Sequence, residues 1–149
     1  MNARFSAAEA RQILAHARQA SLATLLADGA PYASFVSLAL AGPARPVLLL
    51  SRLAWHTQNL ERDARASLLV MGAPGAGDAL AGSRLSLTGR LTRSADSGHR
   101  TAYLACHPEA EAYADFADFS FWEMEVAQAH AVAGFGRIET FSGAELAAD

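Results

Sequence analysis

Short apolar and hydroxyl-bearing runs, separated by connections of only a few residues, limit what this chain can fold into more than any other feature. Residues 21–26 and 32–40 are two such runs, and 27–30 between them reads Ala-Asp-Gly-Ala. An Asp-Gly pair between β-prone runs predicts a hairpin, because the primed turns of hairpins need positive φ. Parallel strands would each need a crossover of a dozen or more residues. The pattern therefore predicts an antiparallel sheet.

Five further runs extend this sheet. Residues 85–91 alternate between apolar and polar side chains, as a half-exposed strand does, whereas 46–50 carry a continuous Val-Leu-Leu-Leu centre suited to burial on both faces. The other three predicted strands are 66–71, 119–126 and 129–141, the last bent at Gly134 and Gly136. Residues 72–83 are rich in Gly and Ala and predict a loop.

The helical segments lie around these strands. Ser6 and Glu9 have capping-box spacing and predict an amphipathic helix over 6–19. Polar residues 51–63 are helix-prone, and 97–105 and 108–116 read as helices interrupted at Pro108. The sum predicts a mainly β (α+β) fold, a small antiparallel barrel of about six to seven strands with peripheral helices, in one domain covering residues 1–149.

Composition removes several classes of function. All 12 basic residues are arginine, so no lysine is present to form a Schiff base, and the net charge of −3 gives no reason to expect nucleic acid as a partner. Cys106 is the only cysteine, and the five histidines show no metal-ligand spacing, so no metal site is predicted. With no signal-peptide pattern and no apolar run of membrane-spanning length, we expect a cytoplasmic protein without a membrane partner.

One segment carries groups suited to an anion. An apolar strand ends at Ser51 and Arg52, and a short helix follows with His56 and Thr57 near its start. Backbone N–H groups converge where a strand leads into a helix, and the helix dipole favours negative charge there. These four side chains could bind a phosphate monoester. They could equally be an ordinary helix start with solvated charges.

An ordered set of segments resembles the pyridoxamine 5′-phosphate oxidase-related family, and most closely its haem-utilisation (HugZ-like) branch. The segments together span about residues 8 to 140, nearly the whole chain, and comprise 20–25, 31–37, 50–69, 84–90, 103–108 and 134–138. The resemblance implies a split β-barrel that forms a homodimer and holds FMN between its subunits. Many members carry a lysine where His56 stands here, which makes this phosphate ligand weaker and sensitive to pH.

The resemblance also implies which residues contact the cofactor. The second strand would face the isoalloxazine ring, the 51–57 segment would bind the phosphate, and the far strands of the partner subunit would contribute Trp122 and Arg137. Trp122 could instead be a core residue, since most aromatic side chains act through burial. The remaining expected cofactor-binding residues are Ser34, Val36, Ser37, Ser51, Arg52, Leu53, His56 and Thr57.

Three functions stay open at this point. The first is an FMN-dependent oxidoreductase acting on a small-molecule substrate or electron donor, with no catalytic residue identified. The second is a haem-binding or haem-degrading protein with His56, His107 or His130 as axial ligand. The third is a non-catalytic flavin carrier or a dimeric scaffold without cofactor. The resemblance favours flavin over haem, because haem-degrading members have an additional C-terminal region and this chain ends soon after Phe141; a deazaflavin is a further alternative.

Overall fold

The computed structural model describes residues 4–73, 77–134 and 136–148, and these residues form one antiparallel sheet with four helices. The strands are β1 Gln19–Leu25, β2 Pro31–Ser37, β3 Ala39–Leu40, β4 Pro46–Ser51, β5 Arg65–Met71, β6 Ser83–Arg93, β7 Phe119–Ala133 and β8 Arg137–Ser142. The helices are α1 Ala7–His16, α2 Trp55–Arg62, α3 Ser97–Cys106 and α4 Gly143–Ala147, with 3₁₀ turns at Ala79–Ala81 and Pro108–Ala112.

The strands form one curved sheet with the topology of a split barrel. Neighbours follow the order β2-β1-β5-β6-β7-β4-β3, and β8 pairs with the second half of β7. The two strands at the ends of this order, β2 and β3, are separated in the chain only by Leu38, whose N–H donates to the Arg18 carbonyl at 3.0 Å. One bent segment therefore joins the two ends of the sheet. The predicted split barrel with peripheral helices is confirmed.

The last two predicted strands are divided differently in the structure. The first extends without a break from Phe119 to Ala133, and a turn containing Gly134 at φ 62° leads to the second, Arg137–Ser142. Thr88 pairs with Gln128 and Gly89 pairs with Val126, so Ala127 has no opposite residue and forms a β-bulge. The bulge interrupts the alternation of apolar and polar side chains along this strand. The sequence prediction interpreted that interruption as the end of one strand and the start of another. Positions 74–76 of the predicted loop and position 135 of the predicted bend lie outside the described residues.

Strand β4 is buried on both faces, as its sequence predicted. Leu48 and Leu50 belong to the main core inside the barrel, whereas Val47 and Leu49 pack with a second cluster that includes Tyr103 of α3. Burying one such aliphatic side chain contributes about 1.5–3 kcal/mol. β4 thus holds α3 and the following 3₁₀ turn against the outside of the barrel, next to the end of β2.

Helix α1 begins as predicted but is shorter. The Ser6 hydroxyl accepts from the Glu9 N–H, and the Glu9 carboxylate accepts from the Ser6 N–H, which completes the capping box. The helix ends at His16 rather than at residue 19, because Gln19 is already paired with Ser37 in the sheet. Among the described residues, no helix has the length and apolar character needed to cross a membrane. The single-domain organisation and the cytoplasmic location stay predictions.

Candidate functional site

A cavity of about 330 Å³ lies where the end of β2, the end of β4 and the start of α2 meet the α3 region. Its lining comprises Phe35, Val36, Ser37, Leu49, Leu50, Ser51, Ala54, His56, Tyr103, Tyr113 and Phe119. Four of the predicted cofactor-binding residues, Val36, Ser37, Ser51 and His56, therefore line one cavity. A fifth, Ser34, reaches it through a hydrogen bond to His56. We call this the His56 cavity.

The Ser51 hydroxyl is fixed by its neighbours. It donates to Asp118 Oδ2 at 2.8 Å and accepts from the Leu53 N–H at 3.2 Å, while the Arg52 N–H donates to the Asp118 carbonyl at 2.7 Å. Asp118 therefore ties the end of β4 to the turn before β7. This role could not be predicted from a local pattern, because Asp118 lies 67 residues from Ser51 in the chain.

The rest of the predicted phosphate-binding segment divides into exposed and buried residues. Arg52 is exposed, and its guanidinium makes no hydrogen bond or ion pair with the part of the chain that the structure describes. Leu53 is 75% exposed. Thr57 is buried, and its Oγ1 has no hydrogen-bond partner among the described residues. Helix α2 starts after Ala54 without a side-chain cap, which leaves its first N–H groups available to an anion.

The environment of His56 determines whether its imidazole is charged when a ligand enters the cavity. Its Nδ1 lies 3.3 Å from the Ser34 hydroxyl, and partial burial lowers its pKa below the ordinary value of 6.5 by desolvation. The imidazole is therefore neutral at neutral pH. When Nδ1–H donates to Ser34, Nε2 presents a lone pair, which is the form that binds a metal ion. A neutral imidazole contributes little to binding a phosphate dianion.

Aromatic side chains that the sequence did not single out form much of the cavity wall. The rings of Tyr113 and Phe119 pack with centroids 5.0 Å apart, and Tyr103 is 3% exposed. Burial raises the pKa of Tyr103 to about 12, and its hydroxyl is hydrogen-bonded to Ser37. The wall is consequently apolar and uncharged. Such a wall suits a flat, largely apolar ring system.

Trp122 and Arg137 lie outside the lining of this cavity. Trp122 is 4% exposed in the main core, the alternative that the sequence left open for it, with the Arg93 guanidinium 5.6 Å from its ring centre. Arg137 donates to Glu9 Oε2 at 2.6 Å and lies 5.0 Å from the Phe5 ring. A contact from either residue to a cofactor bound by the partner subunit stays a prediction, and the burial of Trp122 argues against its part in it.

The three histidines proposed as axial ligands have different surroundings. His107 is 2% exposed, and its Nε2 is hydrogen-bonded to the Leu38 carbonyl at 2.8 Å, so this nitrogen is occupied by the backbone. His130 lies on the outer face of β7, with Nδ1 2.8 Å from Thr140 Oγ1. Of these three, only His56 lines the cavity.

Comparison with known proteins identifies similar sequences and structures. The family described as "CREG, beta-barrel" matches residues 2–146. The non-canonical haem oxygenase HOZ of Arabidopsis thaliana, a chloroplastic protein, is 36% identical over 101 residues, which is 66% of this chain and 30% of that protein. The haem binding protein from Mycobacterium smegmatis superposes with a TM-score of 0.91 at 38% identity, over 98% of this chain and 62% of that one.

A more distant structure supports the fold alone. A Clostridium acetobutylicum protein related to general stress protein 26, of the pyridoxinephosphate oxidase family, superposes with a TM-score of 0.71 at 12% identity, over 94% of this chain and 96% of that one. The predicted resemblance is thus confirmed for the split-barrel fold and for similarity to haem proteins, but not for an FMN-binding family. This chain spans less than two thirds of either haem-related protein.

Proposed function

This chain belongs to the CREG β-barrel family, and from that premise we propose that it binds haem in the His56 cavity. Two similar proteins above 35% identity carry haem in their names, one as a haem oxygenase and one as a haem binding protein. The sequence favoured an FMN-dependent oxidoreductase and kept haem as its alternative. The comparisons reverse that preference.

The observation that carries this proposal is a neutral imidazole in an aromatic cavity. His56 is desolvated enough to have a lowered pKa, and Phe35, Tyr113 and Phe119 line the same cavity. Imidazole nitrogen is a common axial ligand of haem iron, and it binds as the neutral base. The aromatic rings would contact the porphyrin, and the iron would supply the oxygen and redox chemistry of haem.

Arg52 completes this fit. Haem carries two propionate carboxylates, which need cationic or hydrogen-bonding partners near the protein surface. The exposed Arg52 guanidinium follows directly after Ser51 of the cavity lining and makes no ion pair within the described residues. Arg52 is therefore the side chain that we assign to a propionate.

Haem ligation should depend on pH through His56. Because the folded-state pKa of His56 is lowered, the imidazole stays neutral to a lower pH than an ordinary histidine. We expect the Soret band of the haemin complex to be constant from about pH 8 to about pH 6.5 and to be lost as acid protonates His56 below that range. An absorbance titration of the complex with acid measures this. A midpoint above pH 6.5 would contradict the assignment.

We also propose that a second copy of the chain covers the open side of the cavity. Phe35 is 76% exposed and Leu69 is 40% exposed. Both pair with Ser21 of β1, so the two side chains lie on the same outer face of the sheet, on either side of Ser21. Met71, 50% exposed, extends this apolar face along β5. Exposed apolar patches of this kind commonly mark an interface between subunits.

Replacing Leu69 by Glu should separate the subunits. A carboxylate buried in an apolar interface without a partner costs several kcal/mol. Light scattering at micromolar concentration should therefore give a dimer for the unaltered protein and a monomer for Leu69→Glu. Gln12→Glu, on the exposed side of α1, adds the same charge and should leave the dimer intact. If the unaltered protein is a monomer, a second copy does not cover the His56 cavity and the proposal is wrong.

FMN remains a second candidate for one reason. The uncapped start of α2 and the Arg52 guanidinium, which has no ion-pair partner among the described residues, still form an arrangement that suits a phosphate. If FMN binds there, Arg52→Ala should weaken its binding about tenfold, since a charge-assisted hydrogen bond contributes about 1.5–3 kcal/mol. Flavin fluorescence during titration measures this. Equal affinities of the two proteins would remove Arg52 from an FMN site.

A further inference from the structure

A second concave surface lies on the other side of helix α2. It has a volume of about 450 Å³ and lies between the β1–β2 turn and the helix face that carries Trp55, Asn59 and Arg62. The side chain of His56 lines the His56 cavity instead, so helix α2 lies between that cavity and this second surface. We call this surface the α2 groove, and it shares no lining residue with the His56 cavity.

A chain of buried hydrogen bonds fixes the position of a guanidinium in the groove. Thr24 and Asn59 are each 2% exposed, and Asn59 Nδ2 donates to Thr24 Oγ1 at 3.0 Å. The Oδ1 atom of the same Asn59 side chain accepts a hydrogen bond from Arg62 Nη2 at 2.7 Å. No other hydrogen bond or ion pair of the Arg62 side chain is formed within the described part of the chain. Arg62 therefore presents oriented, unused N–H groups to the groove.

An exposed indole lies along the same surface. Trp55 is 63% exposed, and the Tyr32 ring packs against it with centroids 5.8 Å apart. Leu26 and Ala27 add apolar surface from the hairpin turn. A fixed guanidinium beside an exposed indole binds a flat aromatic ring that carries a carboxylate, because the ring can stack on the indole while the guanidinium binds the anion.

From this geometry we propose that the α2 groove is a binding site for small planar aromatic carboxylates, separate from the haem site. Asp28 also lines the groove, and its Oδ1 accepts from the Ala30 N–H at 2.9 Å. Its charge opposes that of a bound carboxylate. Arg62 should therefore strengthen the binding of an aromatic carboxylate, and Asp28 should weaken it.

Calorimetric titration with 1-naphthoate and with uncharged 1-naphthamide tests the proposal on the full chain. We expect 1-naphthoate to bind more tightly than the amide, Arg62→Gln and Trp55→Ala each to weaken it about tenfold, and Asp28→Asn to strengthen it. Arg62→Lys should retain part of the affinity. Arg90→Gln, which removes one exposed positive charge outside the groove, should change nothing.

Several results would overturn the proposal: no heat with 1-naphthoate at millimolar concentration, equal binding of the amide, or an unchanged affinity in Arg62→Gln. Haem binding is tested independently of the groove, because Arg62→Gln should keep the full Soret band. Naphthoate binding without haem binding would refute the proposed function and leave the groove assignment standing.

Discussion

His56→Ala is expected to remove the Soret band of ligated haem. The substitution deletes the imidazole that lines the cavity and leaves the aromatic wall in place. Affinity for haemin should fall on the order of a hundredfold, which corresponds to about 2.7 kcal/mol. Absorbance titration of both proteins with haemin measures the loss. Added imidazole should restore the band in His56→Ala, because it can enter the space that the side chain left and supply the same nitrogen.

Two matched variants make this result specific. His16→Ala removes an exposed histidine of α1 whose Nδ1 contacts the Gln12 carbonyl, and it should leave haem binding unchanged. His130→Ala removes the histidine on the outer sheet face and should also leave it unchanged. A band that survives in His56→Ala and disappears in His130→Ala would instead place the ligand on the outer face of the sheet.

Gly89→Ala should cause a large loss of stability, because its side chain would collide with the backbone of β7. Gly89 lies opposite the β-bulge of β7, and a Cβ there would be 2.0 Å from the Glu125 carbonyl oxygen and 3.1 Å from the Val126 Cα. Both contacts are with backbone, so β6 and β7 must separate and lose pairing at the centre of the sheet. We expect a loss of about 3 kcal/mol in the free energy of unfolding, at the upper end of the usual range for overpacking.

Chemical denaturation compares this variant with Gly82→Ala. At Gly82 the nearest atom to an added Cβ is the Ala79 carbonyl oxygen at 3.5 Å, and φ is −73°, which any residue adopts. Gly82→Ala should therefore change the free energy of unfolding by less than about 1 kcal/mol. Equal midpoints for the two variants would show that the sheet yields at the bulge without cost.

Much of the fold could be predicted because its determinants are local. The alternation of residues 85–91, the hairpin at Asp28-Gly29 and the Ser6–Glu9 capping box each act over a few residues, and each is found in the structure. The hairpin does not have the expected primed turn, because Gly29 has positive φ and Asp28 does not. The bulge at Ala127 was missed, because it depends on the register between β6 and β7. A sequence pattern read along one strand does not contain that register.

The site was predictable only in part for the same reason. Ser51 and His56 lie on one strand–helix connection, so their proximity follows from the local sequence. The cavity wall does not. Tyr103 and Tyr113 reach it through the packing of α3 and the 3₁₀ turn on β4, and Phe119 reaches it because β7 pairs with β4 opposite Ser51. The lowered pKa of His56 likewise results from burial that only the assembled fold provides. A neutral imidazole binds phosphate weakly but can ligate iron through its free nitrogen, so His56 is a candidate iron ligand.

The most direct measurement is the visible absorption spectrum of the purified protein during separate titrations with haemin and FMN. We predict a Soret band that saturates at one haemin per subunit and stays with the protein through gel filtration, while FMN elutes apart from it. Flavin bands that remain with the protein, without a retained Soret band, would contradict haem binding and restore the FMN-dependent oxidoreductase.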